Sequence, residues 1–135
     1  MSFSVGSQLQ YTPSETFKRC QEGSVILDIR PEVLCSYKAF DVPQVLYCPW
    51  QETSQYLDKL PVEQEIIVAD TSGIQSREII QMLISAGFKK IAGLGGGMVE
   101  WERDGLPILL DNQARLSGSC MCQLKFREKN VKRDA

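Results

Sequence analysis

Apolar residues in this 135-residue chain cluster into four short runs, each bounded by polar, glycine or proline positions. Val25-Ile26-Leu27-Asp28-Ile29 closes on Asp28 and Arg30, and Val45-Leu46-Tyr47-Cys48 is stopped by Pro49. Ile66-Ile67-Val68-Ala69 is uncharged and largely β-branched, and Lys90-Ile91-Ala92-Gly93-Leu94 runs into three glycines. Runs this short predict buried strands. The stretches between them read as helices. Thr12-Pro13-Ser14-Glu15 supplies an N-cap, a proline at the first helical position and a glutamate three after the cap, and Gly23 closes that helix at about Glu22. A second helix over about Glu52–Leu60 ends before Pro61. Ile79, Ile80, Leu83 and Ile84 share one face of a third, which Gly87 ends. A last helix, about Met98–Asp104, precedes Gly105-Leu106-Pro107. Strands alternating with helices through short connections predict an α/β domain with a parallel sheet. The chain shows neither an internal repeat nor a low-complexity tract.

From Asp111 the character changes, which divides the chain into a domain over residues 1–110 and a tail over 111–135. Residues 1–110 hold 9 Lys/Arg against 14 Asp/Glu, and residues 111–135 hold 6 against 3. An acidic body argues against nucleic-acid binding, and the basic tail is too small to argue for it. Ser117-Gly118-Ser119 is expected to be flexible. Beyond it, Cys120, Cys122, Leu124 and Phe126 alternate with Met121, Gln123 and Lys125, the period of a strand added to the domain with both cysteines on one face.

At 43% apolar and 24% charged residues the composition is that of a soluble globular domain. No apolar run nears the ~20 residues of a membrane helix, and Met1–Gln10 lacks the basic start and apolar block of a signal peptide. Five cysteines do not form a secreted disulfide framework. The cytoplasm is therefore the expected compartment. The chain has no histidine, which removes the commonest general base, any Cys–His pair and any histidine-containing zinc site.

Several residue groups carry candidate chemistry. Cys120-Met121-Cys122 can carry sulfur, form a redox disulfide or supply half of a tetrahedral metal shell, a dimer or partner then providing the rest. Alternate Cα atoms of a strand lie roughly 6.5–7 Å apart, at the upper edge of disulfide geometry. The plainer reading is one apolar face of a strand docked on the domain or on a second subunit. Cys20, three after Phe17, and Cys48 read as core cysteines. Cys35 falls in a loop, exposed and without a partner. Gly95-Gly96-Gly97 lacks the Lys-Ser/Thr of a phosphate loop and reads as a close backbone approach. Trp50 and Trp101 read as packing anchors. No cofactor and no metal is expected.

Four segments, in order, carry a family resemblance over about residues 10–110. They are Leu27-Asp28-Ile29-Arg30, then Val42-Pro43-Gln44-Val45-Leu46-Tyr47-Cys48-Pro49, then the loop from Asp70 to Ser76, and finally Gly96-Gly97-Met98-Val99-Glu100-Trp101 followed by Gly105-Leu106-Pro107. Together they resemble a single-domain rhodanese-like sulfurtransferase, although the histidine and glycine usual in the second segment are missing. The resemblance implies a three-layer fold, with a central, mostly parallel sheet of about five strands flanked by helices. Asp28 and Arg30 are read as forming polar contacts beneath the loop, with no catalytic role.

In such proteins the loop opens with a nucleophilic cysteine, whose thiolate and persulfide are stabilised by loop amides and the following helix. Here the resemblance puts Asp70 at that position, and Gln75 where an arginine is common. A carboxylate is a poor sulfur nucleophile and repels anionic sulfur donors. The loop Asp70, Thr71, Ser72, Gly73, Ile74, Gln75, Ser76 is thus expected to hold no catalytic residue, with the Asp70 carboxylate accepting from the loop amides. The expected function is a non-catalytic binding or regulatory module linked to sulfur metabolism. Its partner would be a protein, or a second copy through the C-terminal segment, with neither nucleic acid nor membrane involved. The alternative is a sulfurtransferase, sulfur carrier or redox protein that uses Cys120 and Cys122.

Overall fold

The computed structural model describes residues 2–5, 8–110 and 126–128. The chain opens with β1 (Ser2–Val5), β2 (Gln8–Tyr11), α1 (Pro13–Gln21) and β3 (Val25–Asp28). There follow α2 (Glu32–Tyr37), β4 (Lys38–Phe40), β5 (Gln44–Tyr47), a 3-10 helix (Thr53–Lys59) and β6 (Ile66–Ala69). Then come α3 (Ser76–Ser85), β7 (Ile91–Leu94), α4 (Gly97–Arg103), β8 (Ile108–Leu110) and β9 (Phe126–Glu128). The main sheet has the order β1-β2-β7-β6-β3-β5-β9. Its five inner strands are parallel, while β1 and β9 pair antiparallel at the two edges. The five-strand parallel centre flanked by helices is the expected architecture. Every residue of β3, β6 and β7 is buried, so both faces of the sheet are covered, as their uninterrupted apolar runs require.

Local chemistry sets the helix ends. The Thr12 hydroxyl accepts from Glu15 N at 3.2 Å and Pro13 takes the first turn of α1, a cap worth about 1 kcal/mol. A polar cluster ties α1 to the sheet at the entry to β3 and β6. Glu65 accepts from the Tyr11 hydroxyl at 2.5 Å, from Ser24 at 2.7 Å and from Arg19 at 3.2 Å. The Arg19 guanidinium also lies over the Tyr11 ring, 4.2 Å from its centroid. Burial, reinforced by Glu65, pushes the Tyr11 phenol up to about 12. Trp101 is fully buried between Phe17 and Phe40, edge-on to both, and its indole N–H donates to Pro107 O at 2.9 Å. It is the anchor expected; Trp50 is only partly buried against the same core.

Several elements differ from expectation. The second helix is a kinked 3-10 segment, with Tyr56 outside helical angles. Within it Tyr56 and Leu57 pack against the core, and the buried Thr53 hydroxyl reaches back to Cys48 O and Pro49 O; so few contacts do not sustain continuous α turns. Ile84 is 44% exposed, at the margin of the α3 stripe rather than in the core. Cys35 is buried in α2, not in an exposed loop, and its thiol donates to Arg30 O. The antiparallel ribbon of β4 and β8 and the β1–β2 hairpin have no counterpart in the sequence pattern. β9 adds to the outer edge of β5, Phe126 facing Leu46, whereas Cys120 and Cys122 lie outside the described residues.

Candidate functional site

Parallel strands end together, and here the C-terminal ends of β3, β6 and β7 bring Arg30, the Asp70 loop and the Gly95–Gly97 turn to one edge of the sheet. In open α/β sheets this edge is where ligands bind.

Asp70 follows directly on the buried strand β6 and is itself 2% exposed. Its Oδ1 accepts from Gly73 N at 2.5 Å, and its Oδ2 accepts from Gln75 N at 2.7 Å and Ser76 N at 3.0 Å. Three loop amides thus converge on one carboxylate at the start of α3, where the helix dipole also favours negative charge. Gly73, at φ +92°, makes the bend that turns its N–H inward. Thr71, Ser72, Ile74 and Gln75 all present surface outward, Ile74 with 68% of its area exposed. The Ser76 hydroxyl is buried and has no hydrogen-bond partner among the described residues.

The loop is held from behind by the glycine turn. Met98 N donates to Asp70 O at 2.9 Å and Val99 N to Thr71 O at 3.0 Å. That contact needs glycine at 97, where an added Cβ would lie 2.4 Å from Asp70 O, and φ is +62°. The close approach expected of Gly95-Gly96-Gly97 is therefore an approach to the Asp70 loop. The amides of Met98 and Val99 are the part of the site that sequence reasoning missed; the glycine run was their only signal.

Asp28 and Arg30 form a buried bidentate pair, Nε to Oδ1 at 2.9 Å and Nη2 to Oδ2 at 2.7 Å, and Nη2 also donates to Lys38 O at 2.7 Å. Burial works against the guanidinium charge, but Asp28 outweighs it and holds the Arg30 pKa above its ordinary value. The pair braces β3 against α2 and β4. Cys20 is pushed up to about 12 by burial, and burial likewise raises Cys35 and Cys48. All three are buried neutral thiols, without the thiolate character that sulfur chemistry needs. Among the described residues no cluster of His, Cys, Asp or Glu has metal-site geometry, and no helix is long and apolar enough to cross a membrane.

A three-layer α/β sheet whose β6–α3 loop wraps its amides around an anionic group is the class of site defined here. A family model for the rhodanese-like domain matches residues 12–104, and the chain belongs to that family. It is 34% identical over 88 residues to the thiosulfate sulfurtransferase GlpE of Actinobacillus pleuropneumoniae, spanning 64% of this chain and 79% of that protein. With the GlpE of Haemophilus influenzae it shares 26% over 103 residues, 73% of this chain and 92% of that one. Among solved structures, a rhodanese-related protein of Thermoplasma volcanium superposes with a TM-score of 0.69 at 18% identity, covering 75% of this chain and 97% of that one. A rhodanese-like domain from Anabaena gives 0.67 at 21%, covering 82% and 86%. At those identities the structures speak for the fold alone.

Proposed function

We propose that this chain is a rhodanese-like domain without sulfurtransferase turnover, serving as a binding or regulatory module in sulfur metabolism. One observation carries this reading: the buried Asp70 carboxylate accepts all three inward-facing loop amides. A sulfurtransferase of this family would use such donors to stabilise a thiolate and its persulfide. Here they are engaged by a side chain that is no sulfur nucleophile, and residues 70–76 contain neither cysteine nor arginine. With Thr71, Ser72, Ile74 and Gln75 facing outward, the loop offers a rigid surface suited to recognition. The sulfurtransferase relatives make sulfur metabolism the natural setting.

A thiosulfate:cyanide assay tests the reading. The wild-type protein is expected to show no turnover above that of Asp70→Asn, and Asp70→Cys with Gln75→Arg is expected to gain measurable turnover. Wild-type turnover that Asp70→Asn abolishes would overturn it.

A further inference from the structure

On its outer side β5 pairs with β9. Gln44–Tyr47 contains no charged residue and no proline, two devices by which edge strands discourage pairing. Pro43 and Pro49 bracket it, confining ladder-competent backbone to a short window. Residues from far along the chain close that window. Phe126 lies opposite Leu46, Arg127 opposite Val45 and Glu128 opposite Gln44. β9 is only three residues long and is separated in sequence from the end of β8 by residues 111–125. A ladder so short has few hydrogen bonds, each contributing about 0.5–1.5 kcal/mol net.

We propose that this edge is a strand-docking site that takes residues 126–128 from a second copy of the chain as well as from its own, so that the protein self-associates by exchanging its tail strand. The occupant follows from the register. The segment that fits the edge belongs to the chain itself, so a second copy brings the same residues to the same positions. Exchange then replaces one set of contacts with an identical set, the condition under which swapped dimers cost least. Concentration decides the balance. A tether of this length sets an effective self-docking concentration on the order of 1 mM, so exchanged dimers are scarce at about 10 µM and abundant near 1 mM.

Two full-length single variants, Gln44→Cys and Glu128→Cys, test this directly. Residues 44 and 128 are strand partners, and in a mixture of the two variants a 44–128 disulfide forms only between copies. Under oxidised glutathione, which takes up the two electrons, peptide mass spectrometry is expected to find this link at a yield rising from about 10 µM to 1 mM protein. Excess wild-type chain should compete it away. Introducing Phe126→Pro and Arg127→Pro into the Glu128→Cys chain should cut the yield at least tenfold, because one of those two residues directs its N–H into the ladder. The Gln44→Cys/Glu128→Cys double variant should link within one chain at low concentration. Intramolecular linkage with no link in the mixture at any concentration overturns the proposal, as does a yield that the prolines leave unchanged. Absence of any 44–128 link in the double variant overturns it too, since β9 then does not dock on β5.

Discussion

Gly97→Ala probes the contact between the glycine turn and the Asp70 loop. An alanine Cβ there would sit 2.4 Å from Asp70 O, 2.5 Å from Thr71 C and 2.6 Å from Thr71 O. All three are backbone atoms, so no flexible side chain can yield. The left-handed φ of +62° adds its own cost, about 1–2 kcal/mol for a residue with a Cβ. Forcing the turn off the loop adds about 1–3 kcal/mol by analogy with overpacked cores. The combined loss of about 2–5 kcal/mol is a large fraction of the ~5–15 kcal/mol that a domain possesses. Gly105→Ala is the control, since Gly105 has φ +76° but open space around its Cβ position, and only the conformational cost applies. Urea unfolding followed by circular dichroism should show the Gly97→Ala midpoint falling at least twice as far as that of Gly105→Ala, with unchanged slopes. Equal losses in the two variants would refute the idea that the glycine turn and the loop are packed against each other.

Asp70→Ala strands three inward amides and is expected to cost at least about 3 kcal/mol in the same assay, about 1 kcal/mol or more for each donor, with Asp70→Asn milder because one carbonyl oxygen still accepts. Asp28→Ala leaves the Arg30 guanidinium buried without its partner and is expected to cost about 3–5 kcal/mol, part of which Asp28→Leu with Arg30→Met should restore. At alkaline pH, the unfolded chain releases the Cys20 proton near its ordinary 9.0 and the Tyr11 proton near 10.0, whereas the folded protein holds both to about 12. The unfolded state therefore binds fewer protons between pH 9 and 12, so stability should fall as pH rises through that window, and a pH series of urea melts checks it. Tyr11→Phe with Cys20→Ala should reduce that slope, the buried Cys35 and Cys48 thiols supplying the remainder. Cys20, Cys35 and Cys48 should react with iodoacetamide only as fast as the fold opens, and faster labelling of any of them would contradict their burial.

The strands that the sequence made plain are those buried on both faces. A run such as Ile66–Ala69 has no polar alternative to a sheet interior, and α1 announces itself through Thr12, Pro13 and Gly23. The 3-10 helix, α2 and the β4–β8 ribbon were hidden because their short segments mix exposed and buried apolar residues. Val33 and Tyr37 of α2 are 70% and 64% exposed, while Cys35 between them is buried. Periodicity over six residues cannot separate such a helix from a loop, and this is why Cys35 reads as exposed. The site was half legible for a similar reason. Asp70 and its loop amides are contiguous in sequence, so local geometry dictates their contact. The amides of Met98 and Val99 come from α4, whose first turn meets the loop only because Gly97 lets two backbones touch.

That arrangement bears on how such a loop keeps its shape with aspartate in it. Amides that converge on a point are destabilising unless something negative sits there, because each unpaired buried N–H costs about 1–3 kcal/mol. A thiolate or a bound anion meets that demand in a working sulfurtransferase loop. A small neutral residue would not, and the loop would have to unwind to satisfy its donors from water. The Asp70 carboxylate meets it from within the chain, with two oxygens shared among three donors. The buried strand behind it and the glycine turn beside it then retain the same contacts. On the reading proposed above, aspartate stands in for the nucleophile while sparing the fold; Asp70→Cys restores a thiol and Asp70→Ala removes the acceptor, so that pair of variants separates the two consequences.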